Sequence, residues 1–297
     1  MNGLQHIVHV IKRGGRSGSW LTLPYIIFFL AFVAYPLIFS FILIFHRWNI
    51  VTPMEWSGLR NFSRLFADPL FFKALGNTGI FLVIHIPLQI VVALGLAVLL
   101  YSRIRLRGFF RAVYFLPVVV SGVVVTILWQ QMYSYDYGVL NILLTNIGLP
   151  RVPWIVDPNI AMPSIAIMAT WKNVGLYIVL FLVGLQQIPR DLYEVADLDG
   201  ATKRTQFFRI TLPLLNPTIA VIVILSTIAG FSLFIEPYVL TGGGPMNSTL
   251  STVLYIYNQA FYFNHMGYAA TLGLFFAFII ITVVIFQRKL IEKESYA

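Results

Sequence analysis

The sequence predicts an all-α membrane protein with six transmembrane helices, and three observations support this prediction. Hydrophobic residues make up 59% of the 297 residues, charged residues only 10%, and the mean hydropathy is +0.83. Soluble domains contain about 25% charged residues, so this composition excludes an ordinary soluble domain. Six apolar segments approach the ~20 residues that a bilayer-spanning helix needs. A polar segment at 188–213, with eight charged residues, interrupts the apolar sequence in the second half of the chain.

The transmembrane domain is predicted at residues 20–287, between a cytoplasmic N-terminal tail (1–19) and a cytoplasmic C-terminal tail (288–297). The first tail is basic, but the apolar run behind it is too long for a signal peptide and lacks a small-residue cleavage site. The outer segment 49–77 is expected to contain a short helix on the membrane surface. The predicted spans are, with approximate limits, Trp20–Phe45, Thr78–Tyr101, Phe109–Met132, Ile160–Leu185, Pro217–Leu240 and Tyr268–Phe286.

The distribution of lysine and arginine predicts the orientation of the spans. With the N-terminus in the cytoplasm, the inner segments contain fourteen of the 20 Lys and Arg residues, the outer loops contain five, and Lys172 lies within a span. Because cytoplasmic loops of membrane proteins carry such an excess, both termini and the segment 188–213 are predicted to be cytoplasmic. The basic residues lie at membrane edges rather than in one patch, so the net charge of +9 does not indicate nucleic-acid binding.

The segment 188–213 is predicted to form two short helices separated by a turn. Pro189 suits a first helical turn, where its missing N–H is no loss. Gly200 tolerates the left-handed backbone conformation that ends helices. Thr202 can cap the second helix, which must end before Pro213.

The first of these short helices has an acidic edge and an apolar face. The acidic residues recur every three positions and are Asp191, Glu194 and Asp197. The apolar residues are Leu192, Val195, Ala196 and Leu198. Two such helices have too little apolar surface to stand alone, so we expect the membrane domain on one side of them and a partner on the other.

The spacing within this segment resembles the EAA signature of binding-protein-dependent ABC transporter permeases, E-A-A-x3-G-x9-I-x-L-P. The sequence departs from that signature only at Val195, which stands in place of an alanine. The resemblance implies that this segment couples the chain to an ATPase subunit, with Glu194 directed at basic groups of the ATPase and Gly200 forming the sharp turn. The coupling residues that it implies are Glu194, Val195, Ala196, Asp199, Gly200, Ile210, Leu212 and Pro213.

Further segments resemble sugar-type permeases of the maltose and glycerol-3-phosphate group. They are Gly58–Phe62 with Asp68-Pro69, Leu116-Pro117, Trp154 with Asp157-Pro158, Gly242–Pro245 and Ala269-Ala270. This resemblance covers nearly the whole chain and implies the type I importer fold, in which two homologous permease subunits pack about a pseudo-two-fold axis. It also implies two ATP-binding subunits, an extracytoplasmic solute-binding protein, and a place in the inner (cell) membrane of a bacterium or archaeon.

Cofactor chemistry is expected in the partner subunits, and this chain is expected to be non-catalytic. The sequence contains no G-x-x-x-x-G-K-[ST] motif to cradle phosphates, so ATP and Mg²⁺ are expected only in the ATPase subunits. The absence of cysteine excludes disulfides, Fe–S clusters and thiol nucleophiles. The histidines are scattered and predict no metal site; His85, within the second span, is expected to bond to a neighbouring helix.

Polar and aromatic residues within the spans are candidates for the translocation pathway. Charged groups at membrane depth cost about 2.5–3.5 kcal/mol on insertion scales and usually face a cavity or a partner. Lys172 and Glu236 are therefore expected to face the translocation cavity and to be satisfied by polar partners, and a bond between the two is one such arrangement. In the alternative, Lys172 snorkels and Glu236 lies at the headgroup level. The candidate pathway residues are Trp129, Gln130, Trp171, Lys172, Asn173, Tyr177, Ser232, Phe234 and Glu236.

A glycine-rich stretch after the fifth span is expected to form a tight outer turn that contacts the solute-binding protein. Its residues are Gly242, Gly243, Gly244 and Pro245. The sequence as a whole thus predicts the membrane subunit of an ATP-driven importer of a sugar or oligosaccharide. Two alternatives stay open: an ABC importer of a non-sugar solute such as glycerol-3-phosphate, and a secondary transporter of small polar solutes. A secondary transporter needs titratable groups repeated through its spans, and the spans offer only Lys172, Glu236 and His85.

Overall fold

A computed structural model describes residues 22–101 and 107–295, so the predicted tail at 1–19 lies outside the described residues. The described chain is mainly helical, and its strand residues form one antiparallel ribbon of β1 (His46–Arg47) and β2 (Glu55–Trp56). The helices of the first half are α1 (Thr22–Leu43), α2 (Arg60–Phe66), α3 (Pro69–Tyr101), α4 (Arg107–Val119), α5 (Gly122–Met132) and α6 (Val139–Asn146). Those of the second half are α7 (Ala161–Gln186), α8 (Asp191–Leu198), α9 (Lys203–Leu214), α10 (Asn216–Phe231), α11 (Ile235–Leu240), α12 (Thr252–Tyr257) and α13 (Met266–Ser295).

The chain divides into two compact units. The first comprises the chain up to residue 67 together with 259–274, and the second comprises 68–258 together with the chain from 275 onward. In the first unit, the predicted short outer helix is present as α2. The Asn61 amide of α2 donates hydrogen bonds to the carbonyl oxygens of Ile44 (2.9 Å) and His46 (3.0 Å), which fixes α2 against the end of α1.

The second unit is built on the packing of α3 and α7. Asp68 caps α3, because its Oδ1 accepts hydrogen bonds from the N–H groups of Leu70 (3.0 Å) and Phe71 (3.2 Å). Glycine in α7 allows close approach of α4: a Cβ added to Gly175 would lie 2.1 Å from the carbonyl oxygen of Tyr114. The inner core includes Ala93, Ala97, Leu100, Val174, Tyr177, Ile178, Phe181, Leu182, Leu185, Ile188, Leu215 and Ile222.

Four helices of the described residues are long and apolar enough to cross a membrane, and two bent helix pairs bring the number to six if each pair crosses as one span. The unbroken helices extend over Thr22–Leu43, Pro69–Tyr101, Ala161–Gln186 and Met266–Lys289. The sixth helix continues past its predicted end at residue 286, since α13 ends at Ser295. An α-helix rises 1.5 Å per residue, so the 33-residue α3 is also longer than a bilayer requires.

The predicted third span is broken rather than continuous. Its two parts, α4 and α5, meet at an angle of 99°. Ser121, at the break, has an extended backbone (φ −50°, ψ 126°) and precedes the new helix as its N-cap residue. The helix therefore restarts at Gly122 in a different direction.

The predicted fifth span is also interrupted, between Phe231 and Ile235. Proline explains the interruption, because the ring of a helical proline collides with the carbonyl group four residues earlier. For Pro237 that residue is Leu233, which lies within the break. The short helix α11 then begins at the residue after Phe234, whose backbone (φ −140°, ψ −57°) is not helical.

Candidate functional site

A cavity of about 210 Å³ lies in the second unit, among α3, α7, α10 and the start of α11. The predicted pathway residues that line it are Lys172, Asn173, Tyr177, Ser232 and Glu236. The lining residues that the sequence analysis did not identify are Phe81, His85, Ala169, Ala229, Gly230, Leu233 and Ile235. The lining residues are equally divided between polar and apolar ones. Convergence of several polar groups in one cavity is typical of small-molecule sites.

Lys172 and Glu236 form an ion pair beside this cavity. The distance from Lys172 Nζ to Glu236 Oε1 is 2.6 Å, and the two side chains are 16% and 9% exposed. The break before α11 places Glu236 in the first turn of that helix, where the helix dipole favours a negative charge. Gly122 leaves room for the ammonium, since a Cβ there would lie 3.3 Å from Nζ. Of the arrangements that the sequence left open for these two charges, the structure has the one in which they bond to each other.

His85 joins α3 to α7 at the same cavity. Its Nδ1 lies 2.8 Å from Thr170 Oγ1, and this confirms the expected bond to a neighbouring helix. The spacing of Phe81 and His85 in the sequence could have identified both as cavity-lining residues. They are four residues apart and therefore share one face of α3. Their rings stack with centroids 4.8 Å apart.

The other predicted pathway residues do not line the cavity. Trp129 packs edge-on against Trp171, with ring centroids 5.5 Å apart. The Gln130 amide donates to the carbonyl oxygen of Val239 at 3.1 Å and so connects α5 to α11. Phe234 stacks on the ring of Tyr238 at 5.3 Å.

The glycine-rich outer stretch forms a turn with positive φ at Gly242 (61°) and Gly243 (92°). Two side chains of α3 hold the residues that follow it. Lys73 Nζ donates to the carbonyl oxygen of Met246 at 2.7 Å. The Asn77 amide donates to the carbonyl oxygens of Asn247 (2.7 Å) and Leu250 (3.0 Å). A turn fixed in this way presents a defined surface, although its contact with a solute-binding protein stays a prediction.

The polar segment forms the predicted pair of helices, α8 and α9, with Gly200 at positive φ (+74°) between them. Thr202 caps α9, because its side chain accepts a hydrogen bond from the N–H of Thr205 at 3.2 Å. Asp197 then joins the helices: its Oδ1 accepts from Lys203 Nζ at 2.9 Å and from Gln206 Nε2 at 2.6 Å. These two hydrogen bonds, that of Lys203 above all, hold the pKa of the Asp197 carboxyl below its ordinary value.

The prediction that the second helix ends before Pro213 is wrong. The helix continues to Leu214, through a π-helical turn at Phe207–Thr211. Pro213 would collide in a regular α-helix with the carbonyl group of Arg209, four residues earlier. The wider π turn contains Arg209, and it lets the chain stay helical past the proline.

Three apolar side chains of α8 are exposed. Leu192 is 42%, Val195 58% and Leu198 88% exposed, and no residue of this helix is buried. The predicted coupling residues Glu194, Val195, Asp199, Gly200 and Pro213 are exposed, and Ala196, Ile210 and Leu212 are half-buried. Leu192, Val195 and Leu198 are therefore available to a partner, whereas Tyr193 of the same helix packs against the inner core.

Comparison with known proteins gives the same family by sequence and by fold. The model of the family described as "Binding-protein-dependent transport system inner membrane component" matches residues 89–294. The lactose transport system permease LacF of Rhizobium radiobacter is 40% identical over 270 residues, covering 89% of this chain and 90% of LacF.

Two solved structures have the same fold over nearly the whole chain. One is a permease chain of a bacterial ABC transporter that imports the acidic polysaccharide alginate (27% identity, TM-score 0.80, covering 97% of this chain and 99% of that one). The other belongs to the bacterial alginate transporter in complex with an alginate pentasaccharide-bound periplasmic protein (28% identity, TM-score 0.79, covering 96% of each chain). This chain is therefore a multi-pass membrane protein of the binding-protein-dependent transport system inner membrane component family, the permease subunits of ABC importers.

Proposed function

We propose that this chain is a permease subunit of an ATP-driven, binding-protein-dependent importer of a sugar or oligosaccharide. The observation that carries this proposal is the coupling segment α8–Gly200–α9. It combines a fixed turn with exposed apolar side chains in an otherwise membrane-embedded protein. An energy-coupling partner that covers Leu192, Val195 and Leu198 accounts for both features, because apolar groups gain free energy when they leave water.

The proposed assembly contains a second homologous permease, two ATP-binding subunits and an extracytoplasmic solute-binding protein. In this assembly the present chain is non-catalytic, and ATP and Mg²⁺ bind to the ATP-binding subunits. Glu194 and Gly200 lie at the coupling contact, and the turn at Gly242–Pro245 contacts the binding protein. Both termini are cytoplasmic in the inner membrane, in agreement with the excess of Lys and Arg in the inner segments.

The cavity around Lys172 and Glu236 is proposed as this subunit's part of the translocation pathway. Its polar groups come from α3 and α7, from the break after α10 and from the start of α11. Irregular backbone at membrane depth is tolerated where it lines a cavity, which supports a pathway at the break between Phe231 and Ile235. The sugars named for the relatives include an uncharged one, lactose, and an acidic one, alginate, so family membership leaves the charge class of the substrate open.

Substitution of Gly200 tests the coupling proposal. No atom lies within 4 Å of a Cβ added at Gly200, so any effect arises from its backbone conformation (φ +74°) rather than from a clash. A β-branched residue takes positive φ poorly, whereas asparagine tolerates it. We expect Gly200→Val to abolish ATP-driven uptake while the protein stays in the membrane, and Gly200→Asn to retain most of the activity. The measurement is uptake and ATPase activity of the co-expressed subunits.

Glu194→Lys gives an independent test, since it should place like charge against basic groups of the ATPase and uncouple the complex. The matched control is Glu55→Lys, because Glu55 is an exposed carboxylate of the β-ribbon, outside the coupling segment. Normal substrate-stimulated ATPase activity in both Gly200→Val and Glu194→Lys would contradict the coupling role. Uptake that persists without any ATPase subunit would instead favour a secondary transporter.

A further inference from the structure

One ion pair determines the charge of the cavity. Among the residues that the structure places around the cavity, Lys172 and Glu236 are the pair of opposite charges, 2.6 Å apart. His85 also lines the cavity, and its ring is held by Thr170. The two charges therefore cancel, and each one that a bound sugar would meet is already paired with its counter-ion.

This neutralised pair opposes the entry of an anionic sugar. A carboxylate or sulfonate that comes into contact with a mostly buried ion pair loses part of its hydration and must recover that free energy from a cation. Lys172 is already bonded to Glu236, so a bound anion would place two negative charges beside one positive charge. Like charges so close are unfavourable, because the mostly buried side chains of Lys172 and Glu236 are only partly screened by water.

The same pair is well suited to uncharged hydroxyl groups. The contact uses Oε1 of Glu236 and one of the three N–H donors of Lys172. The second carboxylate oxygen can accept a hydrogen bond from a sugar hydroxyl, and the remaining N–H groups can donate to another. Hydrogen bonds to charged groups are stronger than those between neutral groups, and the ion pair stays intact while they form.

We propose that Glu236 is a charge filter: by neutralising Lys172 it restricts the cavity to uncharged sugars and excludes anionic ones. This inference rests on the proposed function, since it takes the cavity to lie on the translocation pathway. It goes further by naming the charge class of the substrate, which the family leaves open.

The test measures sugar binding by the assembled importer in nanodiscs without its binding protein, so that the selectivity of the permease itself is observed. The uncharged probes are lactose, maltotriose and α-1,4-galactotriose, and the anionic probes are lactobionate, maltotrionate and trigalacturonate. Saturation-transfer NMR gives the dissociation constants. Because like-charge contacts cost several kcal/mol, we expect the wild type to prefer an uncharged probe over its anionic counterpart by at least about tenfold.

Two variants should lose this preference by different routes. Glu236→Gln leaves Lys172 without its counter-ion, and Ser232→Lys adds a cation to the cavity lining while the ion pair stays intact. Both are expected to bind at least one anionic probe at least about tenfold more tightly than the wild type does. Ser232→Lys keeps the test valid if Glu236→Gln misfolds, since Ser232 is exposed and its hydroxyl donates to the carbonyl oxygen of Ile228 one turn earlier (3.2 Å).

Two controls separate the filter from a general effect of charge. Glu55→Gln removes an exposed carboxylate of the β-ribbon that does not line the cavity, and it should retain the wild-type preference. The exchange Lys172→Glu with Glu236→Lys restores a neutral pair and should retain it too. The proposal is overturned if neither Glu236→Gln nor Ser232→Lys binds any anionic probe more tightly than the wild type. That result would leave the importer standing, because the Gly200 and Glu194 variants test coupling by uptake and ATPase activity rather than by sugar charge.

Discussion

Asp197 is the residue on which the geometry of the coupling segment depends most directly. It is the α8 residue that bonds to both Lys203 and Gln206 of α9. We expect Asp197→Asn to loosen the two helices and to reduce, without abolishing, ATP-driven uptake, because an amide oxygen still accepts hydrogen bonds but carries no charge. The control is Asp191→Asn, which removes an exposed carboxylate of the same helix. Equal uptake by the two variants would contradict the role of Asp197.

The ionisation of Asp197 also predicts the dependence on pH and salt. Its pKa is lowered in the folded protein, so the contact contributes fully above the ordinary aspartate pKa of about 3.9. The contribution is lost only as the pH falls through the lowered pKa. Uptake near neutral pH should therefore not titrate with this group. High salt should weaken the exposed contact with Lys203 and reduce uptake in the wild type more than in Asp197→Asn.

The backbones of α4 and α7 approach each other closely at Gly175, and substitution of this glycine tests the contact. Gly175 has no space for a side chain, since an added Cβ would lie 2.1 Å from the backbone oxygen of Tyr114. We expect Gly175→Ala to push α4 away and lower the stability of the protein, because overpacking costs about 1–3 kcal/mol. Gly95→Ala in α3 is the matched control, with no atom within 4 Å of its added Cβ. Thermal unfolding of the purified proteins in detergent measures the difference.

Prolines show why the limits of the helices were harder to predict than their existence. In a regular α-helix, the ring of Pro213 or of Pro237 would collide with the carbonyl group four residues earlier. The chain avoids the first clash with a π turn that keeps α9 helical, and the second with a break between Phe231 and Ile235. The choice depends on what packs around each proline, and a single sequence does not contain that information.

The sequence predicted those residues of the candidate site whose burial alone costs free energy, namely the charged ones. A buried charge needs a partner, and this argument identified both Lys172 and Glu236 as candidates and allowed a bond between them. Ala169, Ala229 and Gly230 resemble any other residues of an apolar helix, and they become part of a cavity only through contacts between distant segments. Trp129 and Gln130 were candidates because of their chemistry, but they are engaged in packing and in a helix-to-helix hydrogen bond.

For the whole molecule, the decisive question is whether the bent pair α9–α10, whose first helix belongs to the coupling segment, leads the chain across the membrane or back to the same side. The sequence has no cysteine, so single introduced cysteines report the side of the membrane without a background. Three exposed positions of the second unit lie before, between and after α7 and the bent pair. Tyr137 (85% exposed) precedes α7, Leu198 (88%) lies between α7 and α9, and Met246 (79%) follows α11. If α7 and the bent pair each cross once, Tyr137→Cys and Met246→Cys should react with an impermeant maleimide in intact cells, and Leu198→Cys only in inverted vesicles.

The same experiment separates orientation from docking. Because Leu198 belongs to the proposed coupling surface, co-expressed ATPase subunits should protect Leu198→Cys in inverted vesicles and leave the other two positions unaffected. If Met246→Cys reacted on the same side as Leu198→Cys, the bent pair would be a re-entrant loop rather than a span. If Leu198→Cys reacted in intact cells and the other two only in inverted vesicles, the orientation inferred from the Lys and Arg distribution would be reversed. In the expected outcome, the bend of 62° between α9 and α10 is the point where the chain turns from the proposed coupling surface into the membrane.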